Sequence, residues 1–139
     1  MALVGRLHPL LIHFPIALVL TAFAAEACAV LTGRPGWRRQ AIALVRSAAL
    51  AAPLAAFAGW RLAGDPIVDP GPLLEWHRWL SVAGTAAVVV AAIASTRLQS
   101  GSPAVRWVYG ISLLLAAALV GVAAHFGGVL VWGADFLPL

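Results

Sequence analysis

Four apolar runs, at residues 9–31, 41–62, 73–96 and 104–131, dominate the chain. Each is long enough to cross a hydrocarbon core of about 30 Å, which takes roughly 20 helical residues. In lipid every backbone N–H and C=O must find its partner inside the protein, so only helices and closed barrels span, and runs this long and apolar are not barrel strands. The expected fold is all-α and integral to the membrane, a four-transmembrane-helix antiparallel bundle occupying 1–139 as one domain. The connecting segments TGRPGWRRQ, AGDPIVDPGP and RLQSGSP are short and rich in Gly and Pro, which end helices and make sequential helices antiparallel neighbours. Only 10% of residues are charged and the mean hydropathy is +0.97. The first run could pass for a secretory signal, with Arg6 as its basic start and small residues around Ala27 and Ala29, but its spanning length makes it a transmembrane helix.

Arginine placement orients the bundle. All nine basic residues are Arg. Arg34, Arg38 and Arg39 occupy the first connection and Arg97 and Arg106 flank the third, whereas Asp65, Asp69 and Glu75 mark the second. The positive-inside rule then makes the first and third connections cytoplasmic and puts both termini on the periplasmic, outer side. Tryptophans agree: Trp37 and Trp107 fall at the inner boundary, and Trp60, Trp76, Trp79 and Trp132 at the outer one. The expected location is a membrane, multi-pass. Scattered through a membrane chain, the net charge of +4 reads as topology and gives no nucleic-acid footprint. Cys28 is single, so no internal disulfide forms, and no CxxCH is present to attach a c-type haem. No internal repeat is apparent.

On this map His8 and His13 open the first helix from outside, His77 lies in the first turn of the third, and His125 lies in the last turns of the fourth. His13, His77 and His125 sit about four to six residues from their outer helix ends, roughly 6 to 9 Å deep, so three helices offer an imidazole at one level. Below them lie small residues: Ala17 under His13, Ser81 and Gly84 under His77, Gly121 and Ala118 under His125. Such columns either give clearance to a flat macrocycle or simply let helices pack closely. Interfacial histidines can also be satisfied by water or a carbonyl, yet ionisable groups at membrane depth usually mark function. Neutral imidazole ligates haem iron, zinc and copper alike. Haem b fits best, because no carboxylate or thiolate joins the cluster, the lining is apolar, and Arg6, Arg61 and Arg78 at the rim are placed to pair with propionates if they are more than interfacial residues. The expected haem-iron ligands are His13, His77 and His125, two per haem, with His8 serving a second haem or the rim.

Glu26 is the one acid inside a span. It stands level with Arg46 when both are counted from the inner helix ends, so a structural ion pair between them is expected. Pro15 and Pro53 each remove a helical hydrogen bond, to the carbonyls of Leu11 and Ala49, so both helices should bend, and a kink beside His13 would turn it inward.

The opening HPLLIHFPIAL, the EWH at 75–77 and the HFGGVLVWG from 125 resemble a family of small bacterial membrane proteins known as a domain of unknown function (2231). The resemblance spans nearly the whole chain and covers His8, His13, His77 and His125. It implies four transmembrane helices in the bacterial inner (cytoplasmic) membrane and, because the same domain occurs beside Rieske iron-sulfur or cytochrome c modules, membrane redox chemistry with haem as the proposed group. The tail after the fourth run is short, so we expect the electron partner to be a quinone or a separate redox-complex chain.

These readings together describe a small membrane b-type cytochrome, an electron-transfer protein or subunit more than a stand-alone enzyme, with the lipid bilayer as its solvent and an oligomer compatible with it. Two alternatives stay open. One is a copper or zinc site of three or four histidines, whose imidazoles would converge at about 2.0 to 2.1 Å on one ion; the other is a non-catalytic assembly subunit of a membrane complex. No nucleophile–base pair, phosphate loop or paired catalytic carboxylates appear, which leaves hydrolase and transferase chemistry without support.

Overall fold

The computed structural model describes residues 2–134. Its elements are α1 (Ala2–Arg6), α2 (His8–Leu11), α3 (His13–Thr32), α4 (Pro35–Leu62), α5 (Pro72–Ser95), a 3₁₀ turn at Leu98–Ser100, and α6 (Pro103–Trp132), and no strand occurs among the described residues. The first three run on as one span, Leu3–Thr32, so four helices are long and apolar enough to cross a membrane. They form two hairpins, α1–α3 with α4 and α5 with α6.

Proline and glycine set the boundaries. Span one ends at Gly33, whose φ of 66° is the left-handed conformation glycine adopts freely and whose N–H closes on the carbonyl of Ala29 at 3.0 Å. Arg34 is extended and Pro35 starts α4 with its φ already helical. The same turn recurs at Gly101 (φ 72°), Ser102 and Pro103. Helix α4 thus begins six residues before the apolar run at 41, and Trp37, Arg38 and Arg39 lie in its first turns, where a loop was expected. Span one is interrupted at Leu7 and Ile12, just ahead of Pro9 and Pro15, which have no N–H to return to Gly5 and Leu11. Pro53 lies inside an unbroken helix.

The core is made of small residues. Val19 and Ala22, Val45 and Ala48, Val88 and Ala91, and Leu113 and Ala116 are all at most 1% exposed, one larger and one smaller residue three apart on every span. Leucine, phenylalanine and tryptophan face outward instead, among them Leu31, Leu50, Phe57 and Trp107. Lipid tails are as apolar as leucine, so helices gain by close backbone approach and not by hiding large side chains.

The two hairpins match position by position, although no repeat was apparent in the sequence. Pro15, Val19, Ala22 and Ala25 are buried on span one, and Gly84, Val88, Ala91 and Ala94, each 69 positions later, are buried on span three. Ala41, Val45, Ala48 and Ala55 on span two correspond to Tyr109, Leu113, Ala116 and Ala123 on span four, 68 positions later. The Gly-x-Pro turns share that offset.

At the arginine-rich end, polar bonds cross between spans. Arg38 grips Glu26, with Nη2 2.6 Å and Nε 2.9 Å from Oε1. Tyr109 of span four reaches the same carboxylate at 3.5 Å. Arg46 instead donates Nε to the buried Ser95 hydroxyl at 2.9 Å, tying span two to span three. The expected Glu26–Arg46 pair is therefore corrected: with α4 starting at Pro35, Arg46 lies too deep, and Arg38 in the first turn is level with Glu26. We expect Ala48→Leu or Ala116→Leu, which force a larger side chain between touching backbones, to destabilise by about 1–3 kcal/mol. Leu50→Ala, at a position 76% exposed, should cost less; titrating detergent-solubilised protein with dodecyl sulfate and following helix content by circular dichroism checks the order.

Candidate functional site: a histidine pair joining the two hairpins

The repeat converges on two imidazoles. Gly5 is buried against the end of span two, where a Cβ would lie 3.0 Å from the backbone N and Cα of Leu62. That approach carries His8 over Gly59, so closely that a Cβ on the glycine would sit 2.6 Å from the ring carbon Cε1. His8 Nδ1 lies 3.0 Å from the carbonyl oxygen of Ala55. In the second hairpin His77 repeats the arrangement: Nδ1 is 2.8 Å from the carbonyl oxygen of Ala123, and a Cβ on Gly127 would stand 3.0 Å from Cε1. In each hairpin the carbonyl and the glycine are four residues apart on the second helix, one turn.

His8 and His77 meet across the hairpins with ring centroids 6.3 Å apart and planes at 77°. A carbonyl oxygen can only accept, so each Nδ1 carries a proton, and a neutral ring held this way presents its lone pair at Nε2. Neither Nε2 bonds to another described residue. An imidazole held this way is oriented and made more basic for a metal, because the second nitrogen is already committed.

The other expected ligands are elsewhere. His13 and His125 are exposed on the outside of the bundle, and the interruption at Ile12 does not turn His13 inward. Helical geometry explains this: five residues advance a helix by about 140°, so His8 and His13 cannot face the same way. Ala17 and Ala118, read as clearance beneath His13 and His125, are exposed as well, whereas under His77 the column does face inward, with Gly84 buried and the Ser81 hydroxyl donating to the His77 carbonyl at 2.7 Å. Sequence reasoning ranked His8 last; the signal it missed is the line His8, Pro15, Ala22, Ala29, spaced by seven like His77, Gly84, Ala91.

Of the rim arginines, Arg6 and Arg61 are exposed. Arg78 sits over Trp60, its guanidinium carbon 3.8 Å from the ring centroid, and Trp60 meets Trp79 edge-on at 5.8 Å. The Nε of Arg78 is buried with no hydrogen-bond partner among the described residues. Its stacking clamps span two to span three beside the pair, a cation–π contact in place of an outward-reaching charge.

A family model described as "Predicted membrane protein (DUF2231)" matches residues 6–136, which takes in both histidines and all but the first few residues of the four spans. The chain belongs to this family. No curated protein and no solved structure matches it.

The glycines under the rings give a direct check on the site in this family member. Gly59→Ala and Gly127→Ala must push an imidazole aside and should each destabilise by about 1–3 kcal/mol, Gly59→Ala the more. Gly128→Ala, with nothing within 4 Å of the added carbon, should be neutral or slightly stabilising because alanine favours helix. Thermal melts in one detergent would read all three.

Proposed function

We propose that the chain is a small membrane b-type cytochrome, holding one haem between His8 and His77 and passing single electrons to or from a quinone or a larger redox complex. The observation that carries this reading is the pair itself: two imidazoles, one from each hairpin, each with Nδ1 tied to a helical carbonyl and Nε2 unclaimed among the described residues. A nitrogen bound about 2 Å from a metal, in a ring whose centroid lies about 1 Å further out, puts two opposed rings on one ion about 6 Å apart. Their separation of 6.3 Å agrees. The glycines at 59 and 127 make room for the imidazoles themselves, so each ring lies against a helix backbone and not among polar side chains that would hold a hydrated ion. Haem would supply one-electron chemistry there. The chain's own share is to fix the tautomer of both rings, to hold them crossed, and to exclude water with the surrounding helices. Arg6, exposed at the same end, would pair with a propionate.

The copper or zinc alternative needs three or four converging ligands, and no group of three His, Cys, Asp or Glu among the described residues is placed to hold a metal. With the arginine-rich end facing the cytoplasm of a bacterium, the histidine pair would lie near the outer face of the inner membrane.

Absorption spectra of protein purified from haem-replete cells test the reading. A Soret band that shifts and sharpens on dithionite reduction, with split visible bands, is expected; His8→Ala and His77→Ala should each lose it by more than tenfold, while His13→Ala and His125→Ala keep it. Crossed ring planes leave the two π-accepting iron orbitals nearly degenerate, so the ferric form should give a strongly anisotropic low-spin paramagnetic signal. Colourless protein, or a band lost only in the His13 or His125 variants, would overturn the assignment and favour the assembly-subunit reading or a different ligand set.

A further inference from the structure

The far end of the bundle holds a second feature, independent of what the histidine pair binds. Between spans one and four runs a groove of about 870 Å³, a volume typical of ligand pockets. Its walls are apolar, formed by Phe23, Val30 and Leu31 on one side and Trp107, Leu113 and Leu114 on the other. Polar groups also line it: Glu26, Arg38, Arg106 and Tyr109. Glu26 is already held by Arg38 and approached by Tyr109. Arg106 is exposed and has no hydrogen-bond or ion-pair partner among the described residues. The same end carries Arg34, Arg39 and Arg97 and no acid except Glu26.

We propose that this groove binds an anionic phospholipid, one acyl chain lying along the Phe23 and Leu114 walls and the phosphate meeting Arg106 and the exposed edge of Arg38. Charge complementarity selects this occupant. One acid is neutralised by one arginine, so the groove keeps a net positive charge beside an apolar interior, which matches a negative headgroup on a hydrocarbon tail. Basic pockets between transmembrane helices on the cytoplasmic side bind such headgroups, and an arginine near the surface attracts anionic lipid measurably. A quinone head is neutral and makes no use of Arg106. It would also lie far from the histidines, since Glu26 is 18 residues along the same span from His8, roughly 27 Å.

Native mass spectrometry of the full chain released from mild detergent, titrated with dioleoyl phosphatidylglycerol or dioleoyl phosphatidylcholine, tests the site. Both lipids have the same tails and differ in headgroup charge. One retained phosphatidylglycerol per chain is expected, with at least about fivefold preference over phosphatidylcholine. Arg106→Gln should remove most of that preference, and Leu114→Trp, which fills the groove, should cut retention of both lipids. Arg39→Gln removes an equal charge outside the groove and should leave the preference standing. Circular dichroism confirms that each variant is folded. Equal retention of the two lipids, an Arg39→Gln effect as large as that of Arg106→Gln, or displacement of phosphatidylglycerol by decylubiquinone would each overturn the proposal.

Discussion

Close approach of helix backbones in lipid is the condition on which this bundle rests. Because lipid tails offer leucine the same surroundings as a protein core, the spans associate through contacts that only Ala, Gly and small branched residues permit. Those residues recur every seven positions, the period that keeps one helix face turned inward in a left-handed bundle. Span one buries Pro15, Ala22 and Ala29, and span three buries Gly84 and Ala91. Continued one step toward the end of each helix, these lines reach His8 and His77. On the partner helices the lines through Val45 and Ala52 and through Leu113 and Val120 end at Gly59 and Gly127. Each imidazole therefore takes the last helical place on its seven-residue line, and a glycine opposite gives up the volume the ring needs. The site is a continuation of the packing rule that builds the rest of the fold.

At the other end the halves diverge, and the divergence has a chemical consequence. Glu26 and Ser95 hold equivalent places in the two hairpins, as do Arg38 and Arg106, by the same offsets that relate the buried residues. In the first half the acid takes its arginine. In the second half serine stands where the acid would be and accepts from Arg46 instead, so Arg106 has no partner among the described residues. A pairing repeated in both halves would have closed this end electrostatically. The substitution leaves the Arg106 guanidinium without a partner among the described residues, beside an apolar groove.

Much of this was legible in the residues. Apolar length and backbone satisfaction establish four helices, and Gly and Pro mark the turns within a few residues. Finer features depend on quantities that composition does not carry. Depth counted from an apolar run misplaced Arg46, because α4 starts at Pro35 and its first two turns are polar. Depth alone also misled for His13 and His125, which share a level with His77 but not a direction; rotation about the helix axis, at about 100° per residue, separates them. The seven-residue spacing that singles out His8 was present in the sequence but has meaning only once the inward face is known. The repeat stayed hidden because equivalent positions share size and burial more than identity, as Pro15 with Gly84 and Ala41 with Tyr109 show.

The placement of the pair bears on how the two hairpins are held together. Within the first hairpin the turn at Gly33 and Arg34 is tight, and the second is closed by a 3₁₀ turn, whereas the hairpins are joined to each other through the nine residues 63–71, at the histidine end. Each ring is fixed to its own hairpin by a hydrogen bond to the neighbouring helix, at Ala55 or at Ala123. A ligand gripped by both Nε2 atoms would link the halves where their covalent connection is longest. It would bind only the assembled bundle and so stabilise it in proportion to its own affinity. Conversely, any slide of one hairpin against the other would be passed through the carbonyl bonds to the ring positions, because an imidazole tied at Nδ1 cannot turn independently of its helix. Retention of such a ligand and hairpin association would then be one equilibrium, and a substitution that loosens the Ala and Gly packing far from the rings would be felt at the histidine pair.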